Sequence, residues 1–248
     1  MNILAFFAHP DDETMMAGSA LLMLSRRGFQ VHYYSATRGE GGEAGEPPLC
    51  APEELGAVRE NELACAVRVL GGSSLTFLGY VDPRVGPDNI LYPFEANLAT
   101  LAGQVAASIR QHQAAAVFSH GSNGEYGHPA HILMHQAVSL AVASLGEHAP
   151  LFYSANAAYP GHPRPRLMNK DDPAHIVLDI SPVRDQKVQA ALCHKSQNAM
   201  FMRNASKEAG HAVDLPDVIL PAESFHRVFP PLAGDEHPDD AIARALIN

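Results

Sequence analysis

The run from Ile3 to Ala8 is apolar without polar alternation, the pattern of a strand buried on both faces. Apolar positions then take helical spacing from Ala17 to Arg27 and stop at Gly28, a residue suited to the left-handed turn that closes a helix. Val31 to Ser35 predicts a second strand, Glu53 to Leu70 a helix ended by Gly71-Gly72, and Leu75 to Leu78 a third strand. Phe94 to His112 reads as a helix and Ala114 to Ser119 as a fourth strand. A helix follows from about Pro129 to Leu145, with further strands near Leu151 to Ser154 and His175 to Ile180. Pro182 to Met200 is the last clear helix. Strands alternating with helices of this length predict a single-domain α/β fold, a doubly wound, mostly parallel sheet with helices on both faces.

Two connections interrupt the alternation. Thr37 to Pro52 is rich in Gly, Glu and Pro, and Ala157 to Pro173 carries several prolines. Connections of this length in a compact domain are commonly functional. After Gly210 the periodicity weakens. The expected organisation is therefore one domain over residues 1–209 and an irregular C-terminal extension, 210–248, packed on it.

Composition narrows the function classes. The chain has 248 residues, 46% of them hydrophobic, so it can bury a core without staples. The net charge of −10 and the absence of a basic face speak against nucleic-acid binding. No apolar run reaches the ~18 residues of a membrane span, and no basic leader precedes the first strand. The expectation is a soluble cytoplasmic protein with no membrane partner, and the pattern leaves a homo-oligomer open. Three widely spaced cysteines, Cys50, Cys65 and Cys193, give no disulfide framework and no metal knuckle. The chain is rich in histidine, with 14.

Two histidine motifs carry the chemistry. Ala8-His9-Pro10-Asp11-Asp12-Glu13 lies between the first strand and the first helix. Helix-start preferences explain its Pro, Asp and Glu but not His9, which sits at the carboxyl end of a buried strand. That edge is where open α/β sheets bind ligands. The fourth strand runs into a polar loop, Ser119 to Gly127, and then His128-Pro129-Ala130-His131, whose histidines share one side of a helical turn. If the fourth strand lies beside the first, His9, Asp11, Asp12, His128 and His131 meet in one crevice. Two imidazoles and a carboxylate form a known catalytic zinc set, and the surplus groups suit a base and an oxyanion stabiliser.

These motifs resemble the LmbE/PIG-L-like family of zinc-dependent de-N-acetylases, with Thr37-Arg38-Gly39-Glu40, Arg59, Glu62, Leu78 to Asp82 and His194-Lys195-Ser196-Gln197 extending the likeness. The resemblance implies a Rossmann-like fold and removal of acetyl groups from N-acetylglucosamine units of a small-molecule substrate. It also implies that His9, Asp12 and His131 bind Zn2+ or another divalent transition metal. By the same resemblance, Asp11 is the general base, His128 stabilises the oxyanion or donates a proton, and Tyr126 assists. Arg59 and Asp82 match sugar-contacting positions, and His194 is expected to line the pocket. Without the resemblance, Arg59 and Glu62 read equally well as a helix surface pair, Asp82 as a turn former and His194 as a core histidine. Ala130 departs from the family, where an aspartate commonly separates the two histidines. The rival readings are an amidase of the same family acting on a thiol-sugar conjugate and a catalytically silent carbohydrate-binding member. A thiol nucleophile at Cys193 is rejected, since helix neighbours such as Cys193 and His194 point apart.

Overall fold

The N-terminal apolar run becomes β1 (Asn2–Phe7), followed by α1 (Asp12–Arg26), β2 (Gln30–Ser35), α2 (Leu55–Val69), β3 (Ser74–Phe77) and α3 (Leu98–His112). The chain continues through β4 (Ala116–Ser119), the single turn α4 (Gly124–Gly127), α5 (Pro129–Ser144), β5 (Leu151–Ala155), β6 (Ala157–Ala158), β7 (Asn169–Pro173) and β8 (Ile176–Asp179). It ends with α6 (Arg184–Cys193), α7 (Lys195–Ala209), the turn α8 (Leu215–Val218), β9 (Ala222–Phe229) and α9 (Ala241–Ile247). The structure is a computed structural model and describes residues 1–232 and 236–247; residues 233–235 and 248 of the expected extension lie outside the described residues.

Side chains of β1 alternate between two cores, which is why its sequence shows no polar positions. Ile3, Ala5 and Phe7 pack with residues of α1, α2, α6 and α9, whereas Leu4, Phe6 and Ala8 pack with α3 and α5. Each large side chain fully buried here contributes roughly 1.5–3 kcal/mol.

Seven strands form one sheet in the order β3-β2-β1-β4-β5-β9-β8. β1 pairs in parallel with β2 on one side and β4 on the other, with Phe6 opposite Ser119. The chain winds outward in opposite directions from these two strands, so a crevice opens above their carboxyl ends. This is the α/β arrangement expected from the alternation of elements, with the fourth strand beside the first.

Three local features differ from expectation. The segment after Gly210 is not irregular throughout: β9 runs antiparallel between β5 and β8. Its apolar pattern is broken by Glu223 and Arg227, which are buried with partners. Glu223 accepts from Lys187 Nζ at 2.7 Å and from the backbone N–H groups of Ser19 and Ala20, and Lys187 also donates to Met15 O at 2.9 Å. Arg227 pairs with Asp240 and lies 4.7 Å over the Tyr153 ring. The helix expected over Pro182 to Met200 is two helices, α6 and α7, broken at His194 where ψ is 57°. Finally, Cys65 of α2 and Cys193 of α6 are joined in a disulfide, with Cα atoms 5.7 Å apart across 128 residues of sequence. Spacing alone does not disclose such a pair, because the packing of α2 on α6 brings it together. No helix among the described residues is long and apolar enough to cross a membrane.

Candidate metal centre

β1 ends at Phe7 and delivers His9 to the crevice, and the chain then turns sharply at Asp11 (φ 106°, ψ −31°). A residue with a Cβ rarely adopts this region, and holding it there costs roughly 1–3 kcal/mol. Two contacts hold it. The Asp11 N–H donates to Glu13 Oε2 at 3.1 Å, and the Asp11 carboxylate accepts from Arg59 Nη2 at 3.0 Å. The turn separates two neighbouring carboxylates. Asp11 faces Arg59, whereas Asp12 accepts from the His9 N–H at 2.9 Å and lies 3.2 Å from His9 Nδ1, 3.4 Å from His131 Nε2 and 3.5 Å from His120 Nε2.

β4 delivers His120 one residue beyond its end, where His120 Nε2 accepts from the Ala8 N–H at 2.9 Å and locks the two strand ends together. The loop that follows doubles back closely. A Cβ on Gly121 would stand 1.9 Å from Asn169 Nδ2, so only glycine fits, and the same Asn169 accepts from the Glu125 N–H. The loop thereby sets Glu125 against His131 Nδ1 at 2.6 Å and His120 Nδ1 at 3.3 Å. At the start of α5, Pro129 occupies the first helical position and His128 caps the helix, its Nδ1 accepting from the Ala130 N–H at 3.2 Å. That bond leaves the His128 proton on Nε2.

Among the described residues two overlapping donor sets result: His9, His128 and His131, and Asp12, His120 and His131, each presenting ligand atoms within 4.8 Å of one another. The His9 and His131 rings are 5.3 Å apart. His9 Nε2 and His131 Nε2 are buried without hydrogen-bond partners, although His9 Nε2 lies 3.2 Å from Asp82 Oδ1. Orphaned imidazole nitrogens beside a carboxylate, with Glu125 holding the far nitrogen of His131, fit a divalent transition metal.

Within the cluster, carboxylates and imidazoles shift one another's protonation. Burial disfavours charge on His9, yet Asp12 and Asp82 beside it raise its pKa to about 9. Burial would raise Asp12 and Glu125, but the surrounding histidines hold both carboxyls below their ordinary range. Burial pushes Asp11 up to about 7 against the pull of Arg59. His128 falls to about 3 because of burial and the neighbouring His131 and His9.

Of the residues singled out from sequence, His9, Asp11, Asp12, Asp82, His128 and His131 gather here. Tyr126 stands at the mouth, half exposed, its ring 5.8 Å from those of His128 and His131. Arg59 is buried, with Nη1 on Gly39 O at 2.9 Å and Nη2 on Pro10 O at 2.6 Å as well as on Asp11. A Cβ on Gly39, which has φ +69°, would lie 2.2 Å from Arg59 Nη1, so glycine is what admits the guanidinium. His194 does not line the pocket. It is fully buried, with Nε2 on Glu13 Oε1 at 3.2 Å, because the helix break turns it inward. The sequence reading missed His120 and Glu125. His120 carried a usable signal, since it follows β4 as His9 follows β1; Glu125 carried none, because a strained loop (φ 61°) brings it back.

The chain is similar to known proteins in sequence and in fold. The family described as GlcNAc-PI de-N-acetylase (PIG-L) matches residues 4–142. A 1D-myo-inositol 2-acetamido-2-deoxy-alpha-D-glucopyranoside deacetylase of Mycobacteroides abscessus is 27% identical over 245 residues, covering 87% of this chain and 88% of the relative. A probable N-acetyl-alpha-D-glucosaminyl L-malate deacetylase of Bacillus anthracis is 28% identical over 209 residues, covering 84% of this chain and 86% of the relative. Among solved structures, the 4-carboxy-2-hydroxymuconate hydratase of Pseudomonas putida superposes with a TM-score of 0.63 at 23% identity, covering 94% of this chain and 98% of its own. That likeness concerns the fold alone, which therefore serves more than one chemistry. With more than half its length matched and both histidine motifs at one sheet edge, the chain belongs to the PIG-L de-N-acetylase family.

Proposed function

We propose that this protein is a zinc-dependent hydrolase that removes the N-acetyl group from a small molecule containing N-acetylglucosamine, releasing acetate and a free amine. His9, Asp12 and His131 are the proposed ligands. The observation that carries this reading is the pair of buried nitrogens without hydrogen-bond partners, His9 Nε2 beside the Asp82 carboxylate and His131 Nε2 beside that of Asp12. The relatives from M. abscessus and B. anthracis, named as deacetylases of such sugars, support the substrate class.

Zinc bound there would lower the pKa of a water toward ~7 and polarise the acetyl carbonyl. The chain supplies the rest. Asp11, oriented by Arg59 and raised by burial, takes the proton of the attacking water. His128 remains a neutral imidazole, so its Nε2–H donates to the acetyl oxygen as negative charge grows there. A neutral imidazole is a far weaker acid than the protonated Asp11 carboxyl, so Asp11 returns the proton it took from the water to the departing amine. Arg59 acts on Asp11, while Asp82 and Tyr126 border the space where sugar hydroxyls would be recognised.

Metal analysis combined with acetate release tests the reading. The panel contains N-acetylglucosamine and its inositol- and malate-linked glycosides, each with and without chelator. Acetate release that stops on metal removal and returns with zinc is expected. A metal-bound protein that releases no acetate from any of them would overturn the proposed substrate class.

A further inference from the structure

Asp11 is the one strained residue of the His9–Glu13 motif, and two arms hold it. Arg59 grips its carboxylate, and Glu13 accepts its backbone N–H. Glu13 has three partners: Asp11, the Thr14 hydroxyl and His194. Asp11 and Thr14 are near neighbours in sequence, whereas His194 lies 181 residues further along the chain. Its Nε2 also lies 3.2 Å from Thr14 Oγ1. The Thr14 hydroxyl donates to Glu13, so the imidazole N–H is directed at the same carboxylate.

His194 is itself fixed. It occupies the break between α6 and α7, and both of its flanks are tied to α2. Cys193 is bonded to Cys65, and Ser196 donates to Glu62 through N–H at 2.8 Å and through its hydroxyl at 2.7 Å. Arg59 projects from the same helix α2. Both arms on Asp11 thus share one foundation, although they arrive from distant parts of the chain.

We propose that His194 is a positioning residue for the general base: through Glu13 it holds the Asp11 peptide in its strained turn and so aims the carboxylate at the water. The proposal rests on the hydrolase reading for its kinetic consequence but not for its structural one. Losing a restraint of this kind leaves sugar binding and metal binding in place and lowers kcat, since small misplacements of a reacting group cost up to ~100-fold.

A double-mutant cycle between His194→Met and Asp11→Asn tests it, with His194→Gln as the conservative variant whose amide N–H can still reach Glu13. In the otherwise native protein, His194→Met is expected to lower kcat about 10- to 100-fold, with KM and metal content unchanged. His194→Gln recovers most of that loss. In the Asp11→Asn background, His194→Met costs less than about 2-fold, because the group it positions is gone. An equal loss in both backgrounds, an unchanged kcat or a loss of metal would overturn the proposal. Should His194→Met fail to fold, Glu13→Gln replaces it in the same cycle.

Amide hydrogen exchange at Asp11 gives a readout independent of turnover. Exchange should be at least about 10-fold faster in His194→Met than in the native protein and slow again in His194→Gln. Unaltered protection in His194→Met contradicts the proposal even if no substrate is found, whereas absent acetate release with altered protection contradicts only the hydrolase reading.

Discussion

Asp11 and Asp12 are chemically identical neighbours with opposite surroundings. One carboxylate meets a guanidinium and the other meets three imidazoles, and the positive φ of Asp11 creates the difference. Asp11→Asn is therefore expected to lower kcat by about 100-fold or more with zinc still bound, as read by steady-state acetate release beside metal analysis. Retained activity at full metal content would discard the base. Glu125→Gln weakens the hold on His131 Nδ1, and zinc affinity should fall ~10- to 100-fold in a competition titration with a chromogenic chelator. Unchanged affinity would mean that the contact does not support the metal.

At the scale of elements, much was legible because periodicity reports burial. β1 and β4 read as unbroken apolar runs, and their carboxyl ends carry the histidines. β9 was not legible, because Glu223 and Arg227 interrupt its apolar pattern and find partners that only the folded chain supplies. The helix break at His194 was hidden for a similar reason: spacing continues through it, and Glu13 and Glu62 decide the geometry from far away. Lys187→Met removes one partner of a buried ion pair and should lower stability by about 3–5 kcal/mol in urea unfolding. The two backbone donors on Glu223 set the lower end of that range. His32 on β2 offers a pH test. Its partial burial and the His112 ring 4.0 Å away lower its pKa. The unfolded chain then binds a proton more readily than the folded one, so this contribution is whole above pH ~6.5 and is lost as pH falls below it. His32→Gln should flatten the fall in the urea midpoint between pH 7 and 5; an unchanged slope would remove His32 from the account.

For the whole molecule, the PIG-L fold provides a crevice at the reversal of strand order, and the net charge of −10 suits a protein that recruits a cation rather than a polyanion. Coupling of metal to folding follows. On the proposed reading, zinc requires the assembled set, so excess metal at ~100 times its Kd should add about 2.7 kcal/mol and raise Tm.

The most direct test is metal content and acetate release measured on the same preparations of the native protein, Asp12→Asn and His131→Ala. The native protein should hold one zinc per chain and release acetate from an N-acetylglucosaminide, and both variants should lose metal and turnover together. Zinc at full stoichiometry in His131→Ala, or acetate release that persists after complete removal of metal, would contradict the centre described here.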